Sequence, residues 1–151
     1  MWPHDNSIIA AGFRRYGHLE EAVQVCRGIA DAAMHFDHFR LPELFAGFSR
    51  KHFGVPVHYP VACHPQAWAA GSVPCMLTTL LGLEPDGFDN RLVIRRPALP
   101  NLVDFLEVCG LQVGKGSADL RFTRHGREVE VDVLRVTGEL DVQVRYDRRR
   151  T

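Results

Sequence analysis

The sequence predicts a helical first part that turns to antiparallel β-structure near residue 90, a fold class that is mainly α followed by β. Three observations carry it. Before residue 90 the apolar residues recur at helical spacing. Beyond it they alternate with polar residues, as in Glu128-Val-Glu-Val-Asp-Val133. Between Pro65 and Leu83 there is no charge at all, which predicts a helix covered on most sides. The expected domains are residues 1–90, helical, and residues 91–151, a β appendage.

The first helix is expected over about Asp5 to Tyr16, capped by Asp5 or Asn6 and ended by Gly17 in the left-handed conformation. Its Ile8-Ile9-Ala10-Ala11-Gly12-Phe13 run predicts burial on several sides. The second, about His18 to His35, carries one apolar stripe from Leu19 through Ala22, Cys26 and Ile29 to Ala33. Glu20, Glu21, Gln24, Arg27 and Asp31 lie mostly on the other side. An irregular stretch to Cys63 follows, with room for one short helix that has Pro42 at its first position and Glu43 in its first turn. The third helix is expected from about Pro65 to Gly82, kinked or delayed by Pro74. Two covered helices around a one-sided helix imply an inner and an outer layer. Three helices cannot close such an array, so part of it is expected to be missing.

From Arg91 the expected strands are 92–94, 105–113, 119–124, 128–136 and 139–145. His125-Gly126 and Thr137-Gly138 are the expected hairpin turns. Gly110, Gly114 and Gly116 read as turns or bulges, because no strand-to-helix transition surrounds them to make a phosphate loop.

Composition narrows the function classes. The 151 residues are 46% hydrophobic and 24% charged, and Lys+Arg equals Asp+Glu at 18 each. That balance supplies no field to draw in nucleic acid or an anionic membrane. The one basic run, Arg148-Arg149-Arg150, is read as a solvated tail. Trp-Pro-His-Asp-Asn after Met1 has none of the marks of a signal peptide, and no apolar run reaches the ~18 residues of a membrane span. Cys26, Cys63, Cys75 and Cys109 make no CxxC pair and predict free thiols in a reducing cytoplasm. His35 and His38 have ligand-like spacing, but a metal site wants three or four convergent ligands and none is expected.

Glu43 stands out because its surroundings (Phe36, Phe39, Leu41, Leu44, Phe45 and Phe48) are apolar and aromatic. Its plain role is to complement a helix dipole. Its company suggests more. Trp2, Asp5 and Asn6 open one apolar helix; Tyr59, His64, Gln66 and Trp68 gather at the start of another. If those helices run the same way, their starts meet at one mouth and the Glu43 loop rims it. Flat aromatics beside hydrogen-bonding groups suit a sugar, whose apolar face stacks while its hydroxyls pair.

The strings Trp-Pro-His-Asp-Asn at 2–6, Arg-Leu-Pro-Glu-Leu-Phe at 40–45, Pro-Gln-Ala-Trp-Ala-Ala-Gly at 65–71 and the closing residues 111–131 resemble the C-terminal end of the amylo-α-1,6-glucosidase (glycogen debranching enzyme-like) family. The likeness runs from about Trp2 to Tyr146. It implies the terminal helices of an (α/α)6 toroid plus a C-terminal antiparallel β-sheet. It also implies hydrolysis of α-glucosidic, α-1,6 branch, linkages of glycogen-like glucans without a cofactor. Glu43 takes the place of the general base. Trp2, Asp5, Asn6, His64, Gln66 and Trp68 would shape the sugar site.

Inverting hydrolysis needs a second carboxyl group about 6.5–9.5 Å from the first, and in such barrels the general acid comes from an earlier helix. No convincing partner for Glu43 stands in this chain, which reads as the last barrel helices of a truncated or split gene product. It is therefore expected to be inactive alone and to need self-association or a complementing N-terminal polypeptide. Two alternatives remain: a non-catalytic carbohydrate-binding or complementing fragment, and another activity of the same barrel class, such as trehalose or mannosyl-glycerate hydrolysis.

Overall fold

A computed structural model describes residues 1–146; the Arg148-Arg149-Arg150 run lies outside the described residues. Among them the order is α1 (Pro3–Arg15), α2 (Leu19–Ala33), a 3-10 turn (Asp37–Phe39), β1 (Phe45–Ala46), β2 (Val57–His58), α3 (Ala67–Leu81), β3 (Leu83–Asp86), β4 (Arg91–Arg95), β5 (Phe105–Val113), β6 (Lys115–His125), β7 (Glu128–Glu139) and β8 (Asp141–Arg145). The expected fold class needs correcting. Strand and helix are nearly balanced, at about 34% and 32%, the strands form three small sheets, and an (α/α)6 toroid is not shown.

The chain divides into two compact units, Met1–Leu77 and Thr78 onward. The division falls inside α3, ahead of the composition change near residue 90, because Leu81 is already part of the second unit's core.

In the first unit α1 starts at Pro3, whose missing N–H is no loss at a helix start, and Trp2 rather than Asp5 or Asn6 occupies the cap position. The buried stripe of α1 is Pro3, His4, Ser7 and Ala10, while Ile8 and Ile9 are at least half exposed. This reverses the expectation of a helix covered on several sides. Small residues let α1 pack closely on α2, whose buried stripe is Ala22, Cys26, Ile29 and Ala32. Ser7 satisfies its hydroxyl locally by donating to His4 O at 2.7 Å. The same pattern recurs in α3. Ala69, Ser72 and Met76 are buried while Trp68, Val73 and Leu77 stay exposed, and Ser72 donates to Ala69 O.

The short helix expected at Pro42-Glu43 does not form. A 3-10 turn precedes it, with His38 and Phe39 at φ of 54° and 57°, a region that side chains larger than asparagine rarely enter. Pro42 and a bend at Glu43 instead lead into β1, which pairs antiparallel with β2 through Phe45–His58 and Ala46–Val57.

The second unit holds two sheets rather than one. In the first, β3 and β4 form an antiparallel hairpin and β8 lies parallel to β4 on its other side. β3 is not among the expected strands because Pro85 interrupts it, and Pro is tolerated there because β3 is an edge strand. In the second sheet β5, β6 and β7 form an antiparallel meander around Phe122, Leu120 and Ala118. Gly110, at φ 65°, makes the bulge in β5, and its N–H donates to Asp119 Oδ1 at 2.6 Å.

The Thr137-Gly138 hairpin is also absent. β7 runs through Gly138, which pairs with Gly116. A Cβ at 138 would meet Lys115 O at 2.5 Å, so glycine serves close strand approach here. The chain then leaves the meander, and β8 pairs with β4 instead of β7.

One side chain fastens the loop between β4 and β5. The Arg124 guanidinium donates to the carbonyls of Leu99, Pro100 and Val103 and to Asn101 Oδ1, while Leu99 packs into the core. Arg124→Ala takes the side-chain donor from the carbonyls of Leu99 and Val103, while Pro100 O keeps the Val103 N–H, and each unpaired group costs about 1–3 kcal/mol where water cannot replace the donor. Thermal unfolding is expected to fall by roughly 4–8 °C for every 1 kcal/mol lost, read by circular dichroism. An unchanged melting temperature shows that solvent already satisfies these carbonyls.

Candidate functional site

All seven residues singled out in the sequence fall in the first unit. The starts of α1 and α3 meet there through a ring stack that the sequence reading did not name. His4, on the first turn of α1, is 8% exposed and sits between the two tryptophans. Its ring centroid is 5.4 Å from that of Trp2, which is edge-on at 72°, and 5.1 Å from that of Trp68, tilted 31°. Trp2 is 41% exposed and Trp68 65% exposed, so each offers part of a flat apolar face to solvent.

Glu43 reaches the same end of the unit along the chain. Phe45 N donates to Met1 O at 3.0 Å and Met1 N donates to Phe45 O at 2.5 Å, so the residue before Trp2 is paired with the residue two beyond Glu43. Glu43 is itself fixed at both ends of the residue. Its backbone N–H donates to Cys63 O at 2.9 Å, and its Oε2 accepts from Cys63 N–H at 3.1 Å. One carboxylate oxygen is thereby committed to the 60s loop, and Oε1 remains to accept from a water or a hydroxyl.

The other candidates separate. Asp5 is exposed, with Oδ1 3.6 Å from His4 Nε2, where it sits in the first turn of α1. His64 turns to the backbone, its Nε2 3.1 Å from Arg40 O and its ring 6.4 Å from Phe36. Gln66 is half-buried and its carbonyl accepts from Ala70 N in the first turn of α3. Asn6 is spent locally, its Nδ2 donating to Trp2 O at 2.8 Å. It also lines a separate cavity of about 370 Å³ between α2 and residues 45–57, walled by Gln24, Asp31, His35, Arg50 and Phe53, which does not include Trp2, His4, Glu43 or Trp68.

The structure thus joins Trp2, His4 and Trp68 in one cluster and Glu43 with the Cys63 backbone in another, both at the starts of α1 and α3. His4 was missed because one histidine among eight carries little weight. The available signal was its place in Trp-Pro-His-Asp-Asn, directly after the proline that opens the helix. Among the described residues no group of three or more His, Cys, Asp or Glu side chains is arranged to hold a metal ion, and His35 and His38 belong to none. No helix among them is long and apolar enough to cross a membrane.

The four cysteines are free thiols. Cys26 is buried on α2, and burial, helped by the neighbouring Cys75 sulfur, pushes its thiol up to about 11. Because the thiolate is the nucleophile, a raised value keeps Cys26 protonated and unreactive through neutral pH. A thiol reagent at pH 8 is expected to label the exposed Cys63 and Cys109 first and Cys26 only on unfolding, as peptide mapping would show. Early labelling of Cys26 would mean that α2 is not packed as described.

No protein-family model matches this chain, and no curated protein matches it.

Proposed function

We propose that the first unit binds the end of an α-glucan against Trp2 and Trp68, and that Glu43 is the general base of an inverting glycoside hydrolysis acting on α-1,6 branch linkages. The observation that carries this reading is the ring cluster: two half-exposed indoles held at the starts of α1 and α3, with Glu43 in the loop paired beside them. A pyranose presents an apolar face that such rings match, and its hydroxyls find acceptors in a carboxylate. The sequence likeness to debranching enzymes points the same way. The proton donor to the leaving oxygen would come from a complementing polypeptide, since one carboxylate cannot both activate water and protonate the leaving group at once.

One observation favours a second reading, a carbohydrate-binding chain without catalysis. Both the backbone and the carboxylate of Glu43 are bonded to Cys63, so this residue also staples two loops together.

Binding of maltotriose, isomaltose and glycogen, measured by calorimetry and affinity electrophoresis, tests the shared part of both readings. Trp68→Ala is expected to weaken binding about tenfold, the loss of one stacking platform. Trehalose and mannosyl-glycerate are the comparison ligands. In an enzyme completed by a polypeptide that carries the acid, Glu43→Gln is expected to lower turnover about 10²–10⁴-fold with binding kept. Turnover within a few-fold of wild type would leave Glu43 as a staple and favour the binding chain.

A partner also follows from the exposed apolar side chains. Ile8 and Ile9 on α1 and Val73 and Leu77 on α3 are 40–58% exposed. Buried apolar area is worth about 25 cal/mol per Å², so covering them favours association. Alone, the 17.0 kDa chain is expected to scatter light as a larger species. Ile8→Glu together with Val73→Glu should move it toward the monomer, and a wild-type monomer at tens of micromolar would end this expectation.

A further inference from the structure

His4 raises a question that packing does not answer. It is 8% exposed, and its Nδ1 is buried with no hydrogen-bond partner. Its Nε2 lies 3.6 Å from Asp5 Oδ1, longer than a hydrogen bond, so neither ring nitrogen is tied to one tautomer. A phenylalanine ring would fill the slot between Trp2 and Trp68 without an unpaired polar atom. Buried polar atoms without partners are rare in folded proteins and call for a reason other than packing.

We propose that His4 is a ligand-binding residue of the glucan site, with Nδ1 hydrogen-bonded to a hydroxyl of the glucose ring seated against Trp68; the inference rests on the glucan reading above. The surroundings select this chemistry. Indole faces repel an anion and favour an apolar surface, and the described residues offer no second and third metal ligand beside His4. A sugar has both things the slot lacks: an apolar face for the indole, and a neutral hydroxyl that can donate to or accept from an imidazole nitrogen of either tautomer. Trp68, tilted over the imidazole and 65% exposed, is the side chain a sugar meets first. Stacking on it and moving it aside would give the hydroxyl access to Nδ1.

The test uses the whole chain, whose two tryptophans both touch His4, so that tryptophan emission reads this site. Wild type titrated with maltotriose is expected to change its emission. His4→Phe is expected to keep the tryptophan bands of the near-ultraviolet circular dichroism spectrum and to melt no lower than wild type, since it removes an unpaired polar atom. It should bind maltotriose about tenfold more weakly, the effect of one lost hydrogen bond in a dry site. Among monodeoxy maltotrioses, the one lacking the bonded hydroxyl should lose as much with wild type and nothing further with His4→Phe.

Binding by a folded His4→Phe within twofold of wild type overturns the role of Nδ1. So does a monodeoxy series that binds wild type uniformly, an outcome that needs no variant to fold. Wild type that keeps its tryptophan bands but binds no glucan overturns the glucan reading, and the inference with it.

Discussion

Phe45 is the residue on which the first unit turns. Its backbone pairs with His58 on one side and exchanges hydrogen bonds with Met1 on the other, so three distant stretches of chain meet at one position. Its side chain is buried and lies 5.8 Å from the ring of Phe36, which in turn packs against His58 at 4.9 Å. The backbone pairing fixes where Trp2 begins its helix, and the ring packing fixes the loop that carries Glu43. Without this junction α1 has no set origin, and the tryptophan at its cap has no set place.

The site inherits its geometry from that junction and from one more pairing twenty residues apart, Glu43 with Cys63. Cys63 stands five residues before Trp68, so the staple also sets how the chain enters α3. The contact between α1 and α3 is then made by rings: His4, buried, with an indole on either side. Small side chains at Ser7, Ala10, Ala69 and Ser72 lie along the buried stripes of these helices, and the larger apolar residues are left outside. This arrangement keeps the flat faces of Trp2 and Trp68 accessible and leaves an apolar surface that invites company.

The second unit solves a different problem. Three strands of a meander and three strands of a mixed sheet supply one core from Leu81 to Val129. Glycine permits both the bulge at 110 and the close strand crossing at 138, and the latter carries the chain on to β8 beside β4. Arg124 closes the loop at 97–104 by supplying donors to the carbonyls of Leu99, Pro100 and Val103 beside the loop's own Val103 N–H to Pro100 O bond. Asp86 plays a similar part in the β3–β4 turn, where the Asp89 N–H and the Arg91 guanidinium hold its carboxyl below the ordinary range.

Local pattern by itself determined the three helices within two residues at most ends, the β5 strand, and the change from helical to alternating periodicity. These follow from side-chain spacing and need no distant partner. It also marked Trp2, Glu43 and Trp68 as residues worth explaining. Tertiary structure decided the rest. Pro42 and Glu43 look like a helix start until Cys63 offers a carbonyl and an N–H from twenty residues away, and a bend at Glu43 then pairs both its N–H and its carboxylate. Gly138 looks like a turn until Lys115 proves too close for a side chain. Ile8 and Ile9 look buried until the smaller residues of α1 allow a closer helix contact and take their place. Each of these outcomes depends on which distant group arrives to pair or pack, and a one-dimensional pattern does not carry that information.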